Sequence, residues 1–148
     1  MARVLVVYGP NLNLLGEREP EVYGRTTLEE ITARLRDVAS GEDVELETFQ
    51  SNSEGAIIDR LHAARRGTQA VVLNAGALSH YSYALRDAIA AIGIPVVEVH
   101  MTNVDAREPF RRRSVLAPVC AGVVTGFGAD SFVLGLRGAC GLIRRGTR

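Results

Sequence analysis

Apolar runs alternate with polar clusters along this chain, and the runs have the lengths of short β-strands. Five of them predict strands, at residues 4–7, 44–49, 70–73, 96–100 and 118–124. The run at 44–49 alternates apolar and polar residues, which predicts a half-exposed edge strand. The run at 70–73 is continuously apolar, which indicates a strand covered on both faces.

Helical spacing of apolar residues predicts helices between these strands, over residues 26–40, 54–66, 79–92 and 129–143. The first follows Thr26-Thr27 and Glu29-Glu30, which form two overlapping capping boxes. Ser79 is the expected N-cap of the third helix. Residues 106–113 predict one or two further helical turns.

Strands that alternate with helices favour a mostly parallel sheet covered on both faces. The 148 residues contain neither a repeat nor a linker, so we predict one domain over residues 1–148. Its expected class is α/β, a flavodoxin-like, doubly wound, five-stranded parallel sheet of strand order 2-1-3-4-5. Ligands of such sheets bind beyond the carboxyl ends of the strands, at the switch between strands 1 and 3.

The polar clusters of the sequence follow this rule. Residues 8–24 follow the first strand, and residues 74–80 follow the third. Residues 98–111 comprise the end of the fourth strand and the segment after it. A connection longer than about 12 residues in a compact domain is usually a lid or a binding loop, and the leucines of the first segment argue against disorder. We therefore predict a lid over residues 8–24 and a site at three adjacent strand ends.

Composition removes several classes of function. All 17 basic residues are arginine, so no side chain can form a Schiff base. A formal net charge of zero argues against a nucleic-acid partner. No apolar run reaches the ~20 residues of a membrane helix and no signal-peptide pattern begins the chain, which predicts no membrane partner and a cytoplasmic location. Cys120 and Cys140 are expected to be small core residues.

Two pairs of residues at the predicted site suit acid–base chemistry. Glu98 and His100 lie two apart on one strand and share a face, so the carboxylate can orient the imidazole as a general acid. Arg18 and Tyr23 lie on the same lid, where a nearby guanidinium favours the phenolate form that a base requires. Together the pairs suit removal of a proton beside a carbonyl, followed by loss of a hydroxyl.

The other polar residues at the strand ends supply hydrogen bonds but no nucleophile, and they are Asn74, His80, Thr102 and Arg111. Arg107 and Arg111 are four residues apart, which predicts that they share one face of a short helix. Within the arginine run 111–113, one member is expected to turn inward. The sequence has neither a phosphate-binding glycine loop nor metal-ligand spacing, so we predict no cofactor and no metal. These residues favour a cofactor-free acid–base enzyme for a small, polar, anionic molecule. A flavodoxin-like binding module and an acid–base isomerase of a small carboxylate stay open as alternatives.

Several short motifs point to one family. They are GPNLNLLG at 9–16, REPEVYG at 18–24, QSNSEG at 50–55, NAGA at 74–77 with His80, ALRD at 84–87, EVH at 98–100, ARE at 106–108, FR at 110–111 and GVVTG at 122–126. Through them the sequence resembles the type II 3-dehydroquinate dehydratases (type II dehydroquinases), from residue 4 to about residue 137. The resemblance implies dehydration of 3-dehydroquinate to 3-dehydroshikimate through an enolate. The reaction would serve the shikimate pathway to aromatic amino acids or the breakdown of quinate.

The resemblance also implies a role for each matched residue. Tyr23 would take the C2 proton, with Arg18 favouring its phenolate, and Asn11 would steady the enolate. His100, held by Glu98, would protonate the departing C1 hydroxyl. The residues that would bind the substrate carboxylate and ring hydroxyls are Asn74, Met101, Thr102, His80, Arg111 and Asp87.

The family further implies a dodecamer built as a tetramer of trimers, in which Asp87 can reach the site of a neighbouring subunit. It implies neither a metal nor a Schiff base, in agreement with the absence of lysine. The sequence departs from the family pattern at positions without a catalytic role, and these are Tyr8, Leu78, Tyr81, Asp105 and residues 129–132.

Overall fold

A computed structural model of the chain describes residues 1–146. Within them one sheet contains the strands β1 (Ala2–Tyr8), β2 (Val44–Gln50), β3 (Ala70–Asn74), β4 (Val96–His100) and β5 (Gly122–Thr125). All neighbouring strands run parallel, in the order β2-β1-β3-β4-β5. The predicted fold class and strand order are confirmed.

Helices cover both faces of this sheet. They are α1 (Pro20–Tyr23), α2 (Leu28–Gly41), α3 (Glu54–Ala64), α4 (Tyr83–Ile92) and α5 (Asp130–Arg145). Alternate residues of the central strands point to opposite faces, which gives two apolar cores. One core packs α2 and α5 on one face of the sheet, and the other packs α3 and α4 on the opposite face.

Side-chain caps determine where the helices α2 and α4 begin. Thr27 accepts from the Glu30 amide while the Glu30 carboxylate accepts from the Thr27 amide, so the second of the two predicted capping boxes is the one that begins α2. The predicted N-cap at Ser79 is wrong. Residues Gly76–His80 first form a 3-10 turn, and Ser82, which is extended, accepts from the Leu85 amide to begin α4.

The last strand is shorter than its apolar run. β5 begins at Gly122 rather than at Pro118, because residues Ala117–Val119 form a 3-10 turn with the proline at its start. Proline has no amide hydrogen for the ladder, so the turn is its better place. Of the two cysteines, Cys140 is buried in the core as predicted, whereas Cys120 is only partly so.

In the part of the chain that the structure describes, no helix is both long and apolar enough to cross a membrane.

Two glycines of α5 give a matched test of its packing. A β-carbon on Gly135 would lie 2.5 Å from the Val99 Cγ2 atom of β4, whereas one on Gly138 would meet nothing within 4 Å. We expect Gly135→Ala to lower the free energy of unfolding by about 1–3 kcal/mol, because a valine in a packed core cannot yield without strain. Gly138→Ala should instead raise it by up to about 1 kcal/mol, since alanine favours helix over glycine. Urea unfolding of both variants measures this, and equal effects would contradict the packing of α5 on β4.

Candidate active site

A cavity opens at the carboxyl ends of β1, β3 and β4, where the sequence predicted the site. Its volume is about 140 Å³, below the roughly 300–1,000 Å³ of pockets for drug-sized ligands, so it suits a small molecule. Most of the predicted site residues line it: Asn11, Arg18, Tyr23, Asn74, His80, His100, Met101, Thr102 and Arg111. Glu98 lies behind His100 and Asp87 lies outside the cavity, on the exposed side of α4.

Close contact between the loops after β1 and β3 shapes the cavity floor. The Gly9 amide donates to the Asn74 carbonyl at 2.7 Å. A β-carbon on Gly9 would lie 2.6 Å from the backbone carbon of Ala75, so this approach requires glycine. Leu12 and Leu15 are both 4% exposed and tie the segment that follows to the core.

The segment over residues 8–24 is ordered by short helical turns. Residues Leu12–Leu14 form a 3-10 turn, and α1 places Tyr23 at its last position. Arg18 reaches back, so that its Nη2 donates to the Tyr23 hydroxyl oxygen at 3.1 Å. A hydrogen bond from a guanidinium strengthens when its acceptor becomes an anion, and the pair can therefore hold a phenolate.

A second cation lies at the same phenol ring. The guanidinium carbon of Arg18 is 4.3 Å from the ring centroid of Tyr23, and that of Arg107 is 5.0 Å from it. Arg107 Nη1 also donates to the Thr102 hydroxyl at 3.3 Å. Arg107 lies in the segment 98–111 that the sequence assigned to the site, but it was given no role there. Its motif signal, the ARE at 106–108, was present, but its distance to Tyr23 depends on the fold.

Arg107 and Arg111 do not share one helix. Residues Val104–Ala106 and Pro109–Arg112 form separate 3-10 turns, with Arg107 extended between them. Both arginines nevertheless line the cavity, and Arg111 is the inward member of the 111–113 run. Arg18, Arg107 and Arg111 line the cavity, whereas Glu19 and Glu108, which form ion pairs with them, do not. The guanidinium groups that the cavity presents favour an anionic ligand.

On β4 a buried pair faces these cations. Glu98 has no exposed surface and His100 is 8% exposed. The His100 Nε2 atom bonds to the Glu98 Oε2 atom, as the sequence predicted for residues two apart on one strand. Because Nε2 is occupied, Nδ1 is the ring nitrogen of His100 that remains for the cavity.

His80 stands beside this pair. Its ring stacks on that of His100 with 6.3 Å between centroids and 18° between planes. Its Nδ1 lies 2.8 Å from the Arg113 carbonyl oxygen. A carbonyl can only accept, so Nδ1 carries the proton and Nε2 is left free to bond a ligand.

The floor of the cavity offers polar groups at the ends of β3 and β4. Asn74 is 7% exposed, and its Oδ1 accepts from the Gly76 amide at 3.0 Å, which fixes the side-chain amide. Thr125 Oγ1 donates to the Thr102 carbonyl at 2.8 Å and holds the segment after β4. These fixed dipoles can bind a carboxylate beside the arginines.

Cys120, which lies near Glu98, is no nucleophile. Burial raises the pKa of its thiol to about 12, with a further contribution from the charge of Glu98. Within residues 1–146 no group of three or more His, Cys, Asp and Glu side chains is arranged to hold a metal ion.

Comparison with known proteins agrees with this geometry. Residues 2–140 match the family model of class II dehydroquinase. The chain is 60% identical to the 3-dehydroquinate dehydratase of Desulforudis audaxviator, over 97% of the chain and 96% of that relative. It is 54% identical to the enzyme of that name from Pelotomaculum thermopropionicum, over 95% and 97%.

Solved structures show the same likeness. The type II dehydroquinase of Butyrivibrio crossotus superposes with a TM-score of 0.91 at 42% identity, covering 93% of this chain and 97% of that one. That of Propionibacterium acnes gives 0.91 at 36% identity, covering 95% and 97%. With its strand order, its cavity at the strand ends and these similarities over nearly its whole length, the chain belongs to the class II dehydroquinase family.

Proposed function

We propose that this protein is a 3-dehydroquinate dehydratase, a hydro-lyase that converts 3-dehydroquinate to 3-dehydroshikimate and water. The observation that carries the proposal is the presence of two pairs in one small cavity, Arg18 with Tyr23 and Glu98 with His100. One pair suits a base and the other an acid, as an elimination requires. The reaction belongs to the shikimate pathway, and the same chemistry serves quinate breakdown.

The base removes a proton from C2, beside the C3 carbonyl. The Tyr23 phenolate takes the proton, and the electron pair of the broken C–H bond moves to the carbonyl oxygen to form an enolate. Arg18 stabilises the phenolate, and Arg107 at 5.0 Å from the ring adds a second positive charge. Asn11, which lines the cavity, steadies the enolate.

The acid completes the elimination. The enolate re-forms the carbonyl, a C1–C2 double bond forms, and the C1–O bond breaks. His100 delivers a proton from Nδ1 to the departing hydroxyl, which leaves as water. Glu98 at Nε2 supports the positive charge that the ring carries before this transfer.

The remaining predicted residues bind the substrate. The carboxylate lies against Asn74, Thr102 and the backbone at Met101, and the ring hydroxyls face His80 and Arg111. In support, His80 Nε2 is free and the Asn74 amide is fixed by Gly76. Uniform contacts of this kind act mainly on KM rather than on kcat.

Asp87 reaches a site only in an assembly. It is exposed on α4, outside the cavity of its own chain, so we propose that it serves the cavity of a neighbouring copy in a dodecamer. We propose further that the chain works as one domain in the cytoplasm. Light scattering tests the assembly, with a mass expected near twelve times 15.9 kDa.

Tyr23→Phe tests both the reaction and its base. With 3-dehydroquinate, the wild-type protein should produce the ultraviolet absorbance of a conjugated enone, which an isomerisation need not create. Without the phenolic oxygen, turnover should fall by at least 10²-fold, the lower range of general-base catalysis. The matched control is Tyr83→Phe at an exposed tyrosine of α4, which should keep wild-type turnover. A Tyr23→Phe enzyme within tenfold of wild type would remove Tyr23 from the mechanism.

Arg18→Gln tests how the base is activated. A base must lose its proton to act, and the lost cation no longer favours the anion, so the acidic limb of the kcat/KM profile should move to higher pH. Arg66→Gln, at an exposed arginine beyond α3, controls for net charge. An acidic limb that stays in place would make Arg18 a substrate contact only.

Borohydride distinguishes the enolate route from an imine route. The chain has no lysine, so borohydride added with substrate should neither inactivate the protein nor add substrate mass to it. Intact-protein mass spectrometry makes the measurement. An adduct of protein plus substrate would overturn the enolate mechanism.

A further inference from the structure

Glu98 accepts hydrogen bonds at both of its carboxylate oxygens. Its Oε2 bonds to His100 Nε2, and its Oε1 lies 2.9 Å from the hydroxyl oxygen of Ser114. The carboxyl group is completely buried, so these two contacts replace the water that would otherwise solvate its charge. A buried charge of this kind is stable only when its partners are in place.

The proton and lone pairs of the Ser114 hydroxyl determine the direction of its hydrogen bond to Glu98. Ser114 Oγ accepts from the backbone amides of Leu116 and Ala117, each at 3.1 Å. A hydroxyl has one proton and two lone pairs. Both lone pairs are used by the amides, so the proton can go only to Glu98 Oε1.

A hydroxyl that must donate requires an acceptor. Glu98 Oε1 therefore carries no proton, so the proton that the pair shares lies on the other side of the carboxyl group, between Oε2 and His100 Nε2. We propose that Ser114 is a positioning residue for the proton-donating His100, acting through Glu98. This inference rests on the proposed function only for its effect on turnover.

The chain around Ser114 is held firmly enough for this role. The Val115 amide donates to the Ser79 carbonyl at 2.8 Å, and Arg86 Nη1 donates to the Val115 carbonyl at 3.0 Å. The preceding residue, Arg113, accepts from His80 Nδ1. One short segment thus orients both histidines, His80 directly and His100 through the carboxylate.

Other charged or titratable groups also face the Glu98–His100 pair. His80 stacks on the imidazole, and the Cys120 thiol, with its raised pKa of about 12, keeps its proton. Across the cavity are Arg18, Tyr23, Arg107 and Arg111. A change of Ser114 removes none of these groups, so a change in titration reports the loss of its hydroxyl.

The test compares Ser114→Ala with a matched serine. Ser82 is a serine of the same kind, because it also accepts a backbone amide and also donates to a glutamate, Glu54, at 2.5 Å. Glu54 begins α3 and does not line the cavity. The ring signals of His100 are followed by NMR across pH in the free protein, and kcat and KM are measured with 3-dehydroquinate. Ser114→Thr keeps the hydroxyl, and Ser114→Cys offers a weaker donor of similar size should the alanine variant not fold.

Loss of the donor leaves the negative charge of the unprotonated pair less stabilised, so proton uptake by the pair should move to higher pH. The acid then holds its proton more tightly, and kcat should fall roughly tenfold, as expected for one hydrogen bond to a charge, with KM nearly constant. Ser114→Thr should restore both quantities, and Ser82→Ala should change neither. In a Glu98→Gln background the same serine change should lower kcat no further.

Three results would overturn the role. They are an unmoved His100 titration in Ser114→Ala and Ser114→Cys, a tenfold loss that persists in Glu98→Gln, and an equal loss in Ser82→Ala. The His100 titration could move in Ser114→Ala although the wild-type protein does not dehydrate 3-dehydroquinate. That result would leave the role of Ser114 in place. It would instead refute the proposed reaction.

Discussion

The Glu98 carboxylate has no exposed surface, so the groups around it must stabilise it in place of water. Burying an ion costs several kcal/mol unless its partners are well placed. Here the partners come from two directions, His100 along the same strand and Ser114 from the segment before β5. Removing either partner leaves the buried carboxyl group with only one of these two hydrogen bonds. The arrangement also determines which imidazole nitrogen of His100 can act on a ligand, because it occupies Nε2 and leaves Nδ1 to the cavity.

The parallel sheet brings Arg18 and Tyr23 to the same edge as the Glu98–His100 pair. The strands β1, β3 and β4 are adjacent and their carboxyl ends lie at one edge of the sheet. The loops that follow them therefore lie close to one another. The Gly9–Ala75 contact then draws two loops together at the cavity floor. Arg18 and Tyr23 sit on short helical turns above it. The proposed base thus lies on short helical turns of a loop, and the proposed acid lies on a buried strand.

Much of this could be read from the sequence because the signals are local. Glu98 and His100 share a face by strand periodicity alone, and continuous apolar runs identify the buried strands. Ser79 failed as an N-cap because a 3-10 turn intervened, and several residues near that point could cap a helix equally well. Arg107 was given no role, and Ser114 was missed, for another reason. Their contacts with Tyr23 and Glu98 join different segments, and no spacing along the chain encodes such a distance.

We propose that the base and the acid are separate groups, which act at separate atoms of the substrate through an enolate. Proton NMR of 3-dehydroquinate in D2O tests this with His100→Ala, using Tyr23→Phe as the blank. We expect His100→Ala to exchange the C2 proton for deuterium while forming almost no 3-dehydroshikimate, because Tyr23 still makes the enolate and the hydroxyl cannot leave. Tyr23→Phe should do neither. Exchange that disappears in His100→Ala together with dehydration would contradict the division of roles.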